Sequence, residues 1–98
     1  MLNKLMGQMG PMKEAMDNAK KKLETISVKG EAEGISVYVN GNRKVTDISI
    51  SDSLMEDGDK EAIEELLQVA LNKALASAES VNEMEMAGAA RGMMPGMF

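Results

Sequence analysis

Gly34-Ile35-Ser36-Val37-Tyr38-Val39-Asn40-Gly41-Asn42 is the stretch that decides the fold. From Ile35 to Val39 apolar and polar residues alternate, the period of a strand with one buried face. Asn40-Gly41-Asn42 then supplies a strong reversal signal. Upstream, Thr25-Ile26-Ser27-Val28-Lys29 alternates in the same way, and Gly30 reads as its end. Downstream, a third run from Arg43 to Ser51 slips in parity, with Val45 odd-numbered but Ile48 and Ile50 even. Either a bulge near Thr46-Asp47 or a Val45 that faces the other side accounts for the slip. The three runs predict a three-stranded antiparallel meander.

Helical patterns flank the meander. Leu2, Leu5, Met9, Met12, Met16, Ala19, Leu23 and Ile26 recur at alternating spacings of three and four. That is a heptad seam, the pattern of helices that pack along their length. Gly10-Pro11 interrupts it, because proline lacks a backbone donor and suits a first helical position. The expectation is an ordered helix over 11–24, preceded by a frayed or separate turn at 3–9. Past the third strand, residues 51–58 read as a polar loop. Asp59 is a plausible cap for a last helix over 60–87, whose first turns carry Glu61, Glu64 and Glu65 where the helix dipole favours negative charge. Ile63, Leu67, Ala70, Ala74 and Val81 form its apolar stripe, widened by Leu66, Leu71, Leu75 and Ala78. Gly88 is its natural stop. The organisation expected is one domain over 1–87 and a mobile Gly/Met/Pro tail over 88–98.

Composition narrows the function classes. A chain of 98 residues holds one small domain. Without Cys it has no disulfide or thiolate metal site, and without His it lacks the usual zinc ligand and neutral-pH general base. No Gly-x-Ser-x-Gly elbow or phosphate-cradling glycine loop occurs, so the chain reads as no enzyme, with no cofactor and no small-molecule substrate. Tyr38 and Phe98 are its only aromatic residues, too few for a base-stacking platform. No apolar run approaches the ~18 residues of a membrane span, and the first residues do not resemble a signal peptide. The expected location is therefore cytoplasmic. The net charge of −5 conceals a polarity: residues 1–50 carry eight positive and six negative groups, residues 51–98 three positive and ten negative.

Length implies a partner. The last helix, 28 residues from Lys60 to Ala87, spans about 42 Å at ~1.5 Å per residue. A compact globule of this size has a radius of gyration near ~13 Å and a diameter of roughly 34 Å. The helix overshoots it, so its far end, around Val81, is wet in a single chain. A homodimer is the expected folded unit.

Three local features invite chemistry. Asp52, Glu56, Asp57 and Asp59 surround Gly58, but a calcium loop would put Met55 at a ligand position, so an acidic helix cap is the better reading and no metal site is expected. Met6, Met9, Met12 and Met16 are thioethers suited to Cu(I), yet their spacing is also what an apolar seam requires. The basic groups form the sharpest feature. Lys20-Lys21-Lys22 closes the first helix, Lys13 lies two turns earlier, Lys29 falls on the next strand, and Arg43-Lys44 follows the reversal. Dipole complementation on a solvated face explains the triplet alone. A dimer doubles the set, and phosphate affinity scales with the number of contacts.

The order of these motifs resembles the YbaB/EbfC family of nucleoid-associated proteins over nearly the whole chain. The features that carry the resemblance begin with the Met- and Lys-rich first helix. They continue through Gly34 with Val37, Val39, Asn40 and Gly41, then Val45, Ile48, Ile50, Leu54 and Met55. The most specific stretch runs from Asp59-Lys60-Glu61 through Ile63-Glu64-Glu65-Leu66 to Ala70, Asn72 and Ala74, before the Gly/Met/Pro tail. Members commonly have Asp-Pro where this chain has Ser51-Asp52, and a first helix without the Gly10-Pro11 break. The resemblance implies an α+β fold, an α-β-β-β-α protomer in a tweezer-like homodimer with projecting first and last helices. It also implies DNA binding in the bacterial nucleoid, with influence on its organisation and on gene expression. DNA would be held mainly through phosphates by Lys13, Lys20, Lys21, Lys22, Lys29, Arg43 and Lys44. Ile35, Val37, Val39, Val45, Ile48, Ile50, Leu67 and Leu71 are the expected dimer interface. The competing reading is a protein–protein interaction module that grips apolar helices with its Met-rich helix and tail.

Overall fold

The computed structural model describes residues 2–93, with side chains over 12–90. Its elements run α1 (Leu2–Thr25), β1 (Ser27–Ala32), β2 (Ile35–Asn40), β3 (Val45–Ile50), α2 (Asp52–Asp57) and α3 (Lys60–Met93). The strands form one antiparallel sheet in the order β1-β2-β3, the expected meander. The α-β-β-β-α order stands, with α2 added as a short insert.

The parity slip in the third strand is a bulge. Tyr38 pairs with Asp47 and Val39 with Val45, so Thr46 is the extra residue, and its hydroxyl donates to the Tyr38 carbonyl at 3.2 Å. The bulge puts Val45, Ile48 and Ile50 opposite Val39, Val37 and Ile35, all on one face. On that face lies α3. Its Ala70, Ala74 and Ala78 pack without exposure against Ile35, Val37 and Val39. A helix contact made of alanines brings its backbone close to the sheet, and Gly30 marks the closest approach. A Cβ there would stand 2.5 Å from the Ala74 nitrogen and nearer still to the Ala70 carbonyl oxygen. Gly30 thus lies inside β1, which continues to Ala32, and does not end the strand.

Three further boundaries differ from the sequence expectation. Helix α1 is continuous through Gly10-Pro11. Proline's clash with the preceding residue runs largely through that residue's Cβ, and Gly10 has none. The stretch expected as a loop folds as α2. Ser51 caps its start by accepting from the Leu54 amide at 3.3 Å, and Gly58 closes it in the left-handed conformation at φ 64°. Asp59 does cap α3, accepting from the Ala62 amide at 3.1 Å. That helix does not stop at Gly88 but runs on to Met93. Residues 94–98 of the expected tail lie outside the described residues.

The molecule is long, 66 × 25 × 18 Å with a radius of gyration of 19.1 Å, against ~13 Å for a compact chain of this size. The 34 residues of α3 reach about 51 Å. Its distal half is not bare, because α1 lies along it. Ala19 and Leu23 of the seam are buried, Met16 is half-buried, and Val81 is half-buried where a fully wet residue was expected. Met84 remains 72% exposed.

Candidate nucleic-acid interface

The C-terminus of α1 meets the β2–β3 turn, and there two basic segments converge. Helix ends leave carbonyls without partners, and the turn supplies donors to them. The Gly41 amide donates to the carbonyls of Leu23 at 2.9 Å and Ile26 at 3.0 Å. The Asn42 side-chain amide donates to the Lys20 carbonyl at 2.9 Å. Gly41 has to be glycine, since a Cβ would fall 2.6 Å from a Leu23 methyl and 2.8 Å from the Leu23 carbonyl oxygen. From the other side, the Asn82 side chain of α3 donates to the Gly41 carbonyl at 2.9 Å. Inside the turn, the Asn40 side-chain oxygen accepts from the amides of Asn42 at 2.9 Å and Lys44 at 3.1 Å.

The outcome is that Lys20, Lys21 and Lys22, all exposed, stand beside exposed Arg43 and Lys44. Lys13 is exposed further along the same helix. Consecutive helical residues are ~100° apart, so the three lysines do not share one direction. Lys22 turns toward α3 and pairs with Glu85 at 3.0 Å. Lys29 makes none of the junction's hydrogen bonds. It lies on the sheet face away from α3, ion-paired with Glu31 and 5.7 Å from the centre of the Tyr38 ring. The hydrogen bond between them raises the Lys29 pKa above its ordinary value and lowers that of Glu31.

Arg43 has φ 66°, the only non-glycine residue with a positive φ among those described. A side chain costs about 1–2 kcal/mol in this region and glycine costs nothing. Arg43→Gly should therefore raise the melting temperature by a few degrees, after allowance for glycine's freer unfolded chain. Thermal unfolding by circular dichroism measures it, and a lower melting temperature would show that the arginine side chain stabilises the turn.

The expected dimer residues divide. Ile35, Val37 and Val39 are at most 1% exposed in the single chain. They form the protomer's own core and have no surface left for a second copy. Val45 and Ile48 are 46% and 47% exposed, because α3 packs over β1 and β2 and leaves β3 uncovered. Lys73 donates to the Glu31 carbonyl at 3.1 Å and so marks the β1 flank of α3. Helical geometry puts Leu71 on the edge of the buried stripe away from Lys73, toward β3, and Leu67 within that stripe beside Ala74. Those two and Ile50 are half-buried, so each keeps some apolar surface in addition to exposed Val45 and Ile48.

Asn42 and Asn82 were missed in the sequence. Asn42 was visible only as part of a turn, and Asn82 only as a weak helix former within a long helix.

The chain was compared with known proteins. It is 46% identical over 96 residues to a nucleoid-associated protein of Flavobacterium johnsoniae, covering 93% of this chain and 89% of that one. It is 34% identical over 100 residues to a nucleoid-associated protein of Clostridium kluyveri, covering 99% and 88% respectively. The crystal structure of an uncharacterized protein from Helicobacter pylori superposes with a TM-score of 0.76 at 29% identity, covering 90% of this chain and 94% of that one. Residues 1–93 match the YbaB/EbfC DNA-binding family, and the chain belongs to that family.

Proposed function

We propose that the protein is a nucleoid-associated, non-enzymatic DNA-binding protein that holds duplex DNA through its phosphates. The observation that carries this reading is the convergence of Lys20, Lys21, Lys22, Arg43 and Lys44 at the junction of α1 with the β2–β3 turn. The names of the relatives and of the family support it. Long flexible cations recognise phosphate charge and position a duplex without reading bases. Such binding suits organisation of the nucleoid and a broad influence on gene expression. Lys13 extends the surface along α1, and Lys29, paired with Glu31 as Lys22 is with Glu85, flanks it on the sheet face away from α3.

The binding unit is a homodimer. The apolar surface left on Val45, Ile48, Ile50, Leu67 and Leu71 supports this, because two such surfaces bury each other and cover β3. Duplication also doubles the phosphate contacts.

The test is a gel-shift titration on duplex DNA at 50 and 200 mM salt, with the mass in solution fixed by sedimentation. A dimer making six to ten phosphate contacts should lose about 10³–10⁵ in affinity between those salts. Absence of binding at 50 mM salt would overturn the reading and favour a protein partner for the exposed Met12 and Met84.

A further inference from the structure

We infer that Asn42 and Asn82 are positioning residues that lock the two basic segments into one phosphate-binding surface, an inference that rests on the phosphate reading above. Lys20–Lys22 belong to a helix and Arg43–Lys44 to a hairpin turn, and nothing in local geometry fixes one relative to the other. The link is made by neutral groups. The Asn42 amide reaches the Lys20 carbonyl, within the basic run itself. The Asn82 amide holds the Gly41 carbonyl from the opposite side. The Gly41 amide bonds to the Leu23 and Ile26 carbonyls. The turn is thereby clasped between α1 and α3.

Two observations argue that this clasp serves the cations and does more than close a loop. First, the turn itself is held only by amides and peptide groups; the one lysine–carboxylate pair beside it, Lys22 with Glu85, joins α1 to α3 and does not touch the turn. A clasp of lysine–carboxylate pairs would consume the positive charge it was meant to present and would loosen with salt. Second, the turn carries Arg43 at φ 66°, where glycine would be free of strain. An arginine kept in that conformation points to a use for its side chain.

The experiment measures duplex affinity over a salt series for the full chain and four variants. These are Asn42→Ala, the pair Arg43→Gln with Lys44→Gln, the three combined, and Lys20→Ala with Lys21→Ala and Lys22→Ala. Asn42→Ala leaves the charge unchanged. It should nonetheless flatten the slope of log affinity against log salt, by up to the ~1.8 per protomer that two lost contacts represent. In that background the Arg43/Lys44 change should add little, since cations held out of place contribute little to lose. A purely structural role would lower the melting temperature and leave the slope alone. Asn82→Ala reaches the same turn from α3 and carries the same expectation should Asn42→Ala fail to fold. If Asn42→Ala, or Asn82→Ala in its place, keeps the wild-type slope, or if its effect and that of the charge pair simply add, the inference is overturned while the phosphate reading survives. If the Lys20–Lys22 variant also keeps the wild-type slope, the phosphates are held elsewhere on the molecule, and the inference falls with that placement of the site.

Discussion

Gly30→Ala should lower the melting temperature by roughly 12 °C or more. The cause is a backbone collision. The added carbon would stand 2.5 Å from the Ala74 nitrogen, 2.9 Å from its Cβ, and closer still to the Ala70 carbonyl oxygen. Ordinary overpacking costs about 1–3 kcal/mol because side chains can move aside. Helix backbone cannot, so α3 must lift from β1 and open the contact of Ala70, Ala74 and Ala78 with the sheet. The expected cost of about 3 kcal/mol or more is a large part of the ~5–15 kcal/mol that holds a domain of this size together. Each kcal/mol moves the midpoint by about 4–8 °C. Thermal unfolding monitored at 222 nm gives the answer. A midpoint within about 2 °C of wild type would show that the helix–sheet spacing is not set at Gly30.

Alanine at Lys20, Lys21 and Lys22 should have the largest effect on DNA binding. The three side chains fan around the helix and Lys22 is paired with Glu85, so at most part of the set reaches phosphate together. If three of the six cations of a dimer make contact, their loss flattens the salt slope by about 2.7. Over a four-fold rise in salt, the variant would then lose roughly 40-fold less affinity than the wild type. The mass in solution should not change, since all three side chains are exposed and none belongs to the apolar core. Equal slopes for variant and wild type would move the interface elsewhere.

The parts of the fold that were legible in the sequence are those specified locally. Alternation from Ile35 to Val39 and the Asn40-Gly41-Asn42 reversal need no distant partner to be recognised. The slip between Val45 and Ile48 left a bulge near Thr46-Asp47 or an outward-facing Val45 as alternatives, and the register decided for the bulge. What failed was specified at a distance or by context. Gly30 looks like the end of a strand until α3 is seen lying on it. Gly88 looks like a stop, but no left-handed conformation is required there and open space surrounds it. Its neighbours Ala87, Ala89 and Ala90 are the best of helix formers, so the helix continues through it. The α2 helix hid in a polar stretch, although Ser51 and Gly58 are in fact its two caps.

The candidate site was legible as a list of cations and not as an arrangement. Sequence put Lys29 on a par with Arg43, because both are cations close to the Lys20–Lys22 triplet in an expected meander. Only the sheet register shows Lys29 opposite Tyr38 and beside Glu31, while Arg43 sits in the turn held by α1. Ile35, Val37 and Val39 were assigned to the dimer for a similar reason. An alternating strand announces that one face is buried, but it does not say whether the protomer or its partner buries it.

The bulge at Thr46 also bears on solubility. Removing Thr46 would leave every observed pairing of β2 with β3 in register, from Val39 with Val45 to Ile35 with Ile50. The residue is therefore spare as far as alignment goes. Its effect is to twist a strand that, in the single chain, offers an open edge flanked by exposed Val45 and Ile48. Flat apolar edges stack on one another and precipitate, and a bulge beside a charged residue such as Asp47 is a common defence. One surplus threonine thus works against edge-to-edge stacking of β3 between separate chains.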